Sequence, residues 1–132
     1  MRAFPIGTKA TYSAIVQPEH LANRFKDAIL PPVLATPVML LFMENAALNA
    51  LRPYLEPGES VVGTGANIRH LAATPAGQRV IAEATVTKVD GRRIHFDIRA
   101  RDESEEIGSG THERMVVELD RFEQRLATKE KR

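Results

Sequence analysis

Thr36-Pro37-Val38-Met39-Leu40-Leu41-Phe42-Met43-Glu44-Asn45-Ala46-Ala47-Leu48-Asn49-Ala50-Leu51 is the stretch on which the fold turns. A hydroxyl residue followed by proline reads as a helix start, with the threonine as N-cap and the proline at the first helical position, where its missing N–H would lack a partner anyway. Pro53 and Pro57-Gly58 end the run. Between Val38 and Leu51 only Glu44, Asn45 and Asn49 are polar. A surface helix needs a polar face, so this one is expected to be buried on most sides.

The flanking segments have a different period. Thr8 to Val16 alternates, with Ala10, Tyr12, Ala14 and Val16 on one face and Lys9, Thr11 and Ser13 on the other, as in a half-buried strand. Pro18 to Asp27 reads as a loop with one or two short helical turns, stopped by Pro31-Pro32. Beyond Gly58, Ser60 to Ala72 is an extended segment interrupted by glycines, and Ala73 to Gly77 is a turn. Val80, Ala82, Ala84 and Val86 alternate with Arg79, Glu83, Thr85 and Thr87. Asp90-Gly91 marks a two-residue hairpin, from which a strand returns with Ile94, Phe96, Ile98 and Ala100 on one face. Ile107 to Leu119 is the last strand, and a polar helix or tail covers 120–132. One strand, a lid-like segment, one apolar helix and an antiparallel meander make an α+β domain. A curved antiparallel sheet is needed to wrap such a helix, and this is the order of elements in the hotdog fold. No repeat or linker divides residues 1–132, so a single domain is expected.

Composition excludes several classes. The 132 residues contain no cysteine, which removes disulfide scaffolds, thiolate metal sites and cysteine nucleophiles. A formal charge of +1 from 18 basic and 17 acidic side chains lacks the footprint of a nucleic-acid binder. The apolar run from Ile29 to Met43 is short and carries three prolines, so no membrane span is expected. Met1 to Gly7 lacks the apolar stretch of a secretory signal, and a cytoplasmic location is the expectation.

Glu44 stands out because a carboxylate within a buried helix face costs several kcal/mol unless it is paired or used. The structural alternative is that it faces a solvent channel or pairs with an arginine such as Arg69. Thr36 needs no function if it is an N-cap, although the N–H groups of the same terminus suit a developing oxyanion. Of the four histidines, His20 and His95 read as solvated, His112 as structural, and His70 lies at the end of an extended segment between Arg69 and Leu71. No ligand spacing for a metal is present.

Four stretches carry a likeness to a known family: Arg52-Pro53-Tyr54-Leu55-Glu56-Pro57-Gly58-Glu59, His70-Leu71-Ala72-Ala73-Thr74-Pro75, Val89-Asp90-Gly91-Arg92-Arg93 and Glu106-Ile107-Gly108-Ser109-Gly110-Thr111-His112-Glu113-Arg114. Over about Leu30 to Leu119 the chain resembles the fluoroacetyl-CoA thioesterases, small single-domain hotdog proteins. The resemblance implies a catalytic set of Thr36, Glu44 and His70, since the family has a threonine at the helix start, a glutamate eight residues on and a histidine 26 beyond that. It also implies that Gly63 helps bind the acyl group and that Arg114 lies near the CoA side. The family's fluoroacetate-selective member has phenylalanines three apart in a lid before the helix. Asp27 and Leu30 stand there in this chain, and Phe25 is the only aromatic nearby.

The expectation is therefore hydrolysis of a small acyl-CoA thioester other than fluoroacetyl-CoA, with coenzyme A as part of the substrate and no cofactor. Leu30 and Phe25 are expected beside the acyl group. The likeness further implies a homodimer, or a higher oligomer, with the acyl channel at the interface. The competing reading is a non-catalytic acyl-CoA binding module, which would need no carboxylate in its pocket. A hotdog hydratase would need an Asp and a His a few residues apart near the channel, and a ligand-sensing regulator would need a DNA-binding extension.

Overall fold

The computed structural model describes residues 1–130; Lys131 and Arg132, the end of the expected tail, lie outside the described residues. Strands β1 (Lys9–Ile15), β2 (Glu59–His70), β3 (Arg79–Asp90), β4 (Arg93–Arg101) and β5 (Glu106–Glu118) form one sheet in the order β1-β3-β4-β5-β2. All of its neighbours run antiparallel. The helices are α1 (Ala22–Phe25), α2 (Thr36–Leu51) and α3 (Leu119–Glu130). None of them is long and apolar enough to cross a membrane.

The alternation read from the sequence is the alternation of the core. Val80, Ala82, Ala84 and Val86 of β3 and Ile94, Phe96, Ile98 and Ala100 of β4 are all buried. They meet Val38, Met39, Phe42, Met43, Ala46, Ala47, Ala50 and Leu51 of α2. Small residues on both surfaces, Ala82 and Ala84 against Ala46, Ala47 and Ala50, let the helix lie close in the curve of the sheet.

Four expectations need correction. The meander is limited to β3-β4-β5, because β2 lies beside β5 at the edge opposite β1, so the chain crosses the sheet between His70 and Arg79. The hairpin loop is Gly91-Arg92, one residue later than Asp90-Gly91, since Asp90 still pairs with Arg93. Gly91 takes the positive φ of 61° that the first loop position of a type II′ turn requires. Helix α2 is buried on one side only: Leu41 is 48% exposed, and Leu40 and Leu48 are only partly covered. Finally, His20 is not simply solvated. Its ring meets Phe42 edge-on at 5.4 Å and accepts a hydrogen bond from the Gln17 amide.

The segment before α2 is tied down from two directions. Ala22 N–H donates to the Val33 carbonyl, and Leu34 N–H donates to the carbonyl of Thr74. Thr74 is itself fully buried and donates through its hydroxyl to Asp102, whose other carboxylate oxygen caps the β4–β5 turn at Ser104 and Glu105.

Candidate active site

Thr36 is the first residue of α2, and the N-cap position belongs to Ala35, which makes no side-chain cap. The threonine hydroxyl is consequently free of the helix. It lies 2.7 Å from His70 Nδ1 at the end of β2. Val38 and Met39 already donate to the Ala35 carbonyl and Pro37 has no N–H. The Thr36 amide and hydroxyl are thus the donors that this first turn can offer a ligand.

Thr36, Pro37 and His70 open on a cleft of about 450 Å³, walled by Leu30, Val33, Leu34, Leu71 and Ala72. Leu30 is thus part of the wall that Thr36 and His70 share. Phe25 is not: it sits at the end of α1, 53% exposed and outside the lining of the cleft. Asp27 is also turned away, its carboxylate accepting from the Ile29 amide.

Glu44 lies two helical turns further, about 12 Å along the axis at 1.5 Å per residue. Its side chain is 37% exposed, so it is less buried than the apolar run of α2 implied. The nearest cation is Arg114 of β5, with Nη1 3.7 Å from Glu44 Oε2. The expected alternative partner, Arg69, is exposed instead, because strand alternation turns it outward when its neighbour His70 faces in. Arg114 is 8% exposed and donates through Nη2 to the Val61 carbonyl at 2.9 Å, so it sits inside against Glu44. Within one chain no hydrogen bond or ion pair joins this group to the Thr36–His70 pair among the described residues.

Gly63 completes the second group by being small. A Cβ there would fall 2.9 Å from Glu44 Oε2 and 3.6 Å from Arg114 Nη1. Gly63 and His70 are an odd number of residues apart, and a regular strand would point them to opposite faces. The ladder between β2 and β5 slips between Gly63 and Gly65, leaving Thr64 as an extra residue. Past this bulge Ala66, Ile68 and His70 pair with His112, Gly110 and Gly108, as Gly63 pairs with Arg114. Both site residues of β2 thereby face α2.

Sequence reading missed one neighbour. His112, expected to be structural, is 3% exposed and bonds both to the Gly65 carbonyl and to Arg114. The available signal was the i, i+2 spacing of His112, Arg114 and Val116, which puts all three on one face of β5.

The half-buried His70 and the buried His112 both resist protonation. Burial pushes the His70 imidazole below its ordinary value, against a smaller opposing pull from the Ala72 backbone. Burial does the same to His112, where the Gly65 carbonyl opposes it and the Arg114 cation adds to it. The unfolded chain, with histidines near 6.5, then binds more protons than the folded one on the acid side of that value. Their contribution to stability is complete above about pH 6.5 and is lost as the pH falls towards the lowered folded values. Urea unfolding midpoints are expected to fall between pH 7 and pH 5; a flat profile would contradict the assignment.

The comparisons with known proteins agree with this geometry. Residues 16–120 match the family described as fluoroacetyl-CoA-specific thioesterase. The chain is 40% identical over 129 residues to the fluoroacetyl-CoA thioesterase of Streptantibioticus cattleyicolor, covering 94% of this chain and 93% of that protein. A solved structure of a fluoroacetyl-CoA thioesterase superposes with a TM-score of 0.91 at 38% identity, over 96% of this chain and 98% of that one. A hypothetical protein of Thermus thermophilus, described as a thioesterase superfamily member, superposes with a TM-score of 0.93 at 32% identity, over 99% and 96% of the two chains. With the curved sheet, the single central helix and a match spanning nearly all of both, the chain belongs to the fluoroacetyl-CoA-specific thioesterase family of the hotdog superfamily.

Proposed function

We propose that this thioester hydrolase cleaves a small acyl-CoA whose acyl group is not fluoroacetyl. The observation that carries the proposal is the 2.7 Å contact of Thr36 Oγ1 with His70 Nδ1 at a cleft whose wall includes Leu30. The thioester carbonyl sits at the start of α2, where the Thr36 amide and hydroxyl stabilise the negative charge that develops on oxygen. Glu44 either takes a proton from the attacking water or attacks the carbonyl carbon itself, giving an anhydride that water then opens. In both routes the C–S bond breaks and the sulfur leaves as a thiol. Its proton is the one the hydrolytic water gives up, and His70 supports the step through Thr36: with Nδ1–H donating to Thr36 Oγ1, the hydroxyl proton is left for the ester oxygen.

Two features support assembly as a homodimer with the acyl channel at the interface. The outer side of α2 leaves Leu41 exposed and Leu40 and Leu48 half covered, and β2 is a sheet edge with one side unpaired. Such an arrangement also lets Glu44 and the Thr36–His70 pair act on one ester although they are apart within a chain. Selection against fluoroacetyl is supported by the aliphatic Leu30 in the cleft and by Asp27 pointing away from it.

Free-thiol release from short, branched and aromatic acyl-CoAs, fluoroacetyl-CoA included, tests the proposal. Turnover is expected to be highest on a non-fluorinated short acyl group. A preference for fluoroacetyl-CoA would overturn the specificity, and saturable ester binding without thiol release would leave a binding module.

A further inference from the structure

His112 is a buried titratable side chain beside the site that the chemistry above leaves unused. Its ring lies stacked beside Phe96, with centroids 6.0 Å apart and planes at 27°. The two ring nitrogens have different partners. Nδ1 is 2.8 Å from the Gly65 carbonyl oxygen, which only accepts, so Nδ1 carries the proton and donates. Nε2 is then the acceptor, and it lies 3.2 Å from Arg114 Nη1, which only donates. The carbonyl that fixes this tautomer belongs to the residue just after the bulge in β2.

Arg114 is therefore held at two fixed points, Nη2 on the Val61 carbonyl and Nη1 on His112, with the same Nη1 facing Glu44 at 3.7 Å. That separation is an ion pair and not a hydrogen bond. Without an acceptor at His112 Nε2, the guanidinium is free to rotate about its bond to Val61 or to close onto Glu44. Either movement re-aims the carboxylate.

We propose that His112 is a positioning residue: it orients and spaces the Arg114 guanidinium against Glu44 without touching substrate. The proposal rests on the role of Glu44 given above and extends it to a residue that acts only through Arg114.

Two substitutions separate the two bonds of the ring. His112→Asn keeps a donor at the δ position for Gly65 and removes the acceptor for Arg114. His112→Gln carries a carbonyl oxygen out to where Nε2 stood and keeps that acceptor. The asparagine variant is expected to lose about tenfold in kcat with KM changed by less than about twofold, while the glutamine variant stays within about threefold of wild type in kcat. Proton NMR of the Arg114 guanidinium supplies a readout that needs no activity: resolved, slowly exchanging resonances in the wild type and in His112→Gln, averaged ones in His112→Asn. Wild-type kcat in the asparagine variant overturns the proposal. So does a fall of both variants in step with their melting temperatures, or guanidinium resonances unchanged in His112→Asn. A wild type that releases thiol from no ester refutes the functional reading instead, and the resonances then decide the role of His112 alone.

Discussion

Glu44→Gln is expected to lower kcat by about 10²–10⁴-fold, the loss typical of removing a positioned base or nucleophile. Glutamine fills the same space between Gly63 and Arg114, so packing around the side chain is conserved. What it lacks is the ability to take a proton from water or to attack a carbonyl. The fold should not suffer in parallel. Glu44 is 37% exposed, so water reaches it and screens its pairing with the buried Arg114, and a pair discounted in this way contributes about 1 kcal/mol. Arg114 also keeps the Val61 carbonyl and His112 as partners. Initial rates on the best acyl-CoA and a thermal melt, measured on the same preparation, check both halves. Undiminished turnover would remove Glu44 from the mechanism, and a large drop in melting temperature would assign it a structural role.

Gly110→Ala is expected to have the opposite profile, damaging the fold first. A Cβ on Gly110 would lie 2.1 Å from the Asn67 carbonyl oxygen and 2.8 Å from Ile68 Cα, both backbone atoms of the neighbouring strand β2. No rotamer change relieves such a contact, so β2 must move away from β5. Overpacking of this kind costs about 3 kcal/mol, which in a domain of this size lowers the melting temperature by about 10 °C. Since β2 carries both Gly63 and His70, activity should fall as well, even below the melting transition. Gly65→Ala is the matched control: a Cβ there meets nothing within 4 Å, and its melt should overlay the wild type. Equal melts for the two alanine variants would show that β2 yields more easily than its pairing implies.

The parts of this architecture that repeat locally were legible in the sequence. The inward faces of β3 and β4 and the extent of α2 follow from spacing alone, because each inward residue is fixed by its neighbours two or four places away. Strand partners are not local, and nothing in the period of residues 59–70 says that they pair with β5 instead of with the strand that follows. The three positions proposed as catalytic came from family spacing. The pairing of Thr36 with His70 required the helix to begin one residue earlier than the Thr-Pro signal suggests, which freed the hydroxyl. The contacts of Arg114 and His112 were not legible, because their partners are set by the register across β2 and a bulge interrupts that register. Phe25 was included for being aromatic and close in sequence, but the end of α1 points it to solvent.

The extra residue at Thr64 makes the site a matter of counting. Along a strand, each added or removed residue exchanges inside for outside, so only an odd step can turn an odd separation into a shared face. Gly63 and His70 depend on one such step. Substituting Thr64 leaves the count unchanged, and the strand would tolerate many side chains there as far as facing is concerned. Removing it leaves Gly63 and His70 six residues apart in an unbroken ladder, and that even separation keeps both on the face turned to α2. What this stretch of β2 protects is therefore a parity: losing the bulge and its residue together conserves it, whereas one residue gained or lost elsewhere between Gly63 and His70, with the bulge kept, would share the fold without sharing the site.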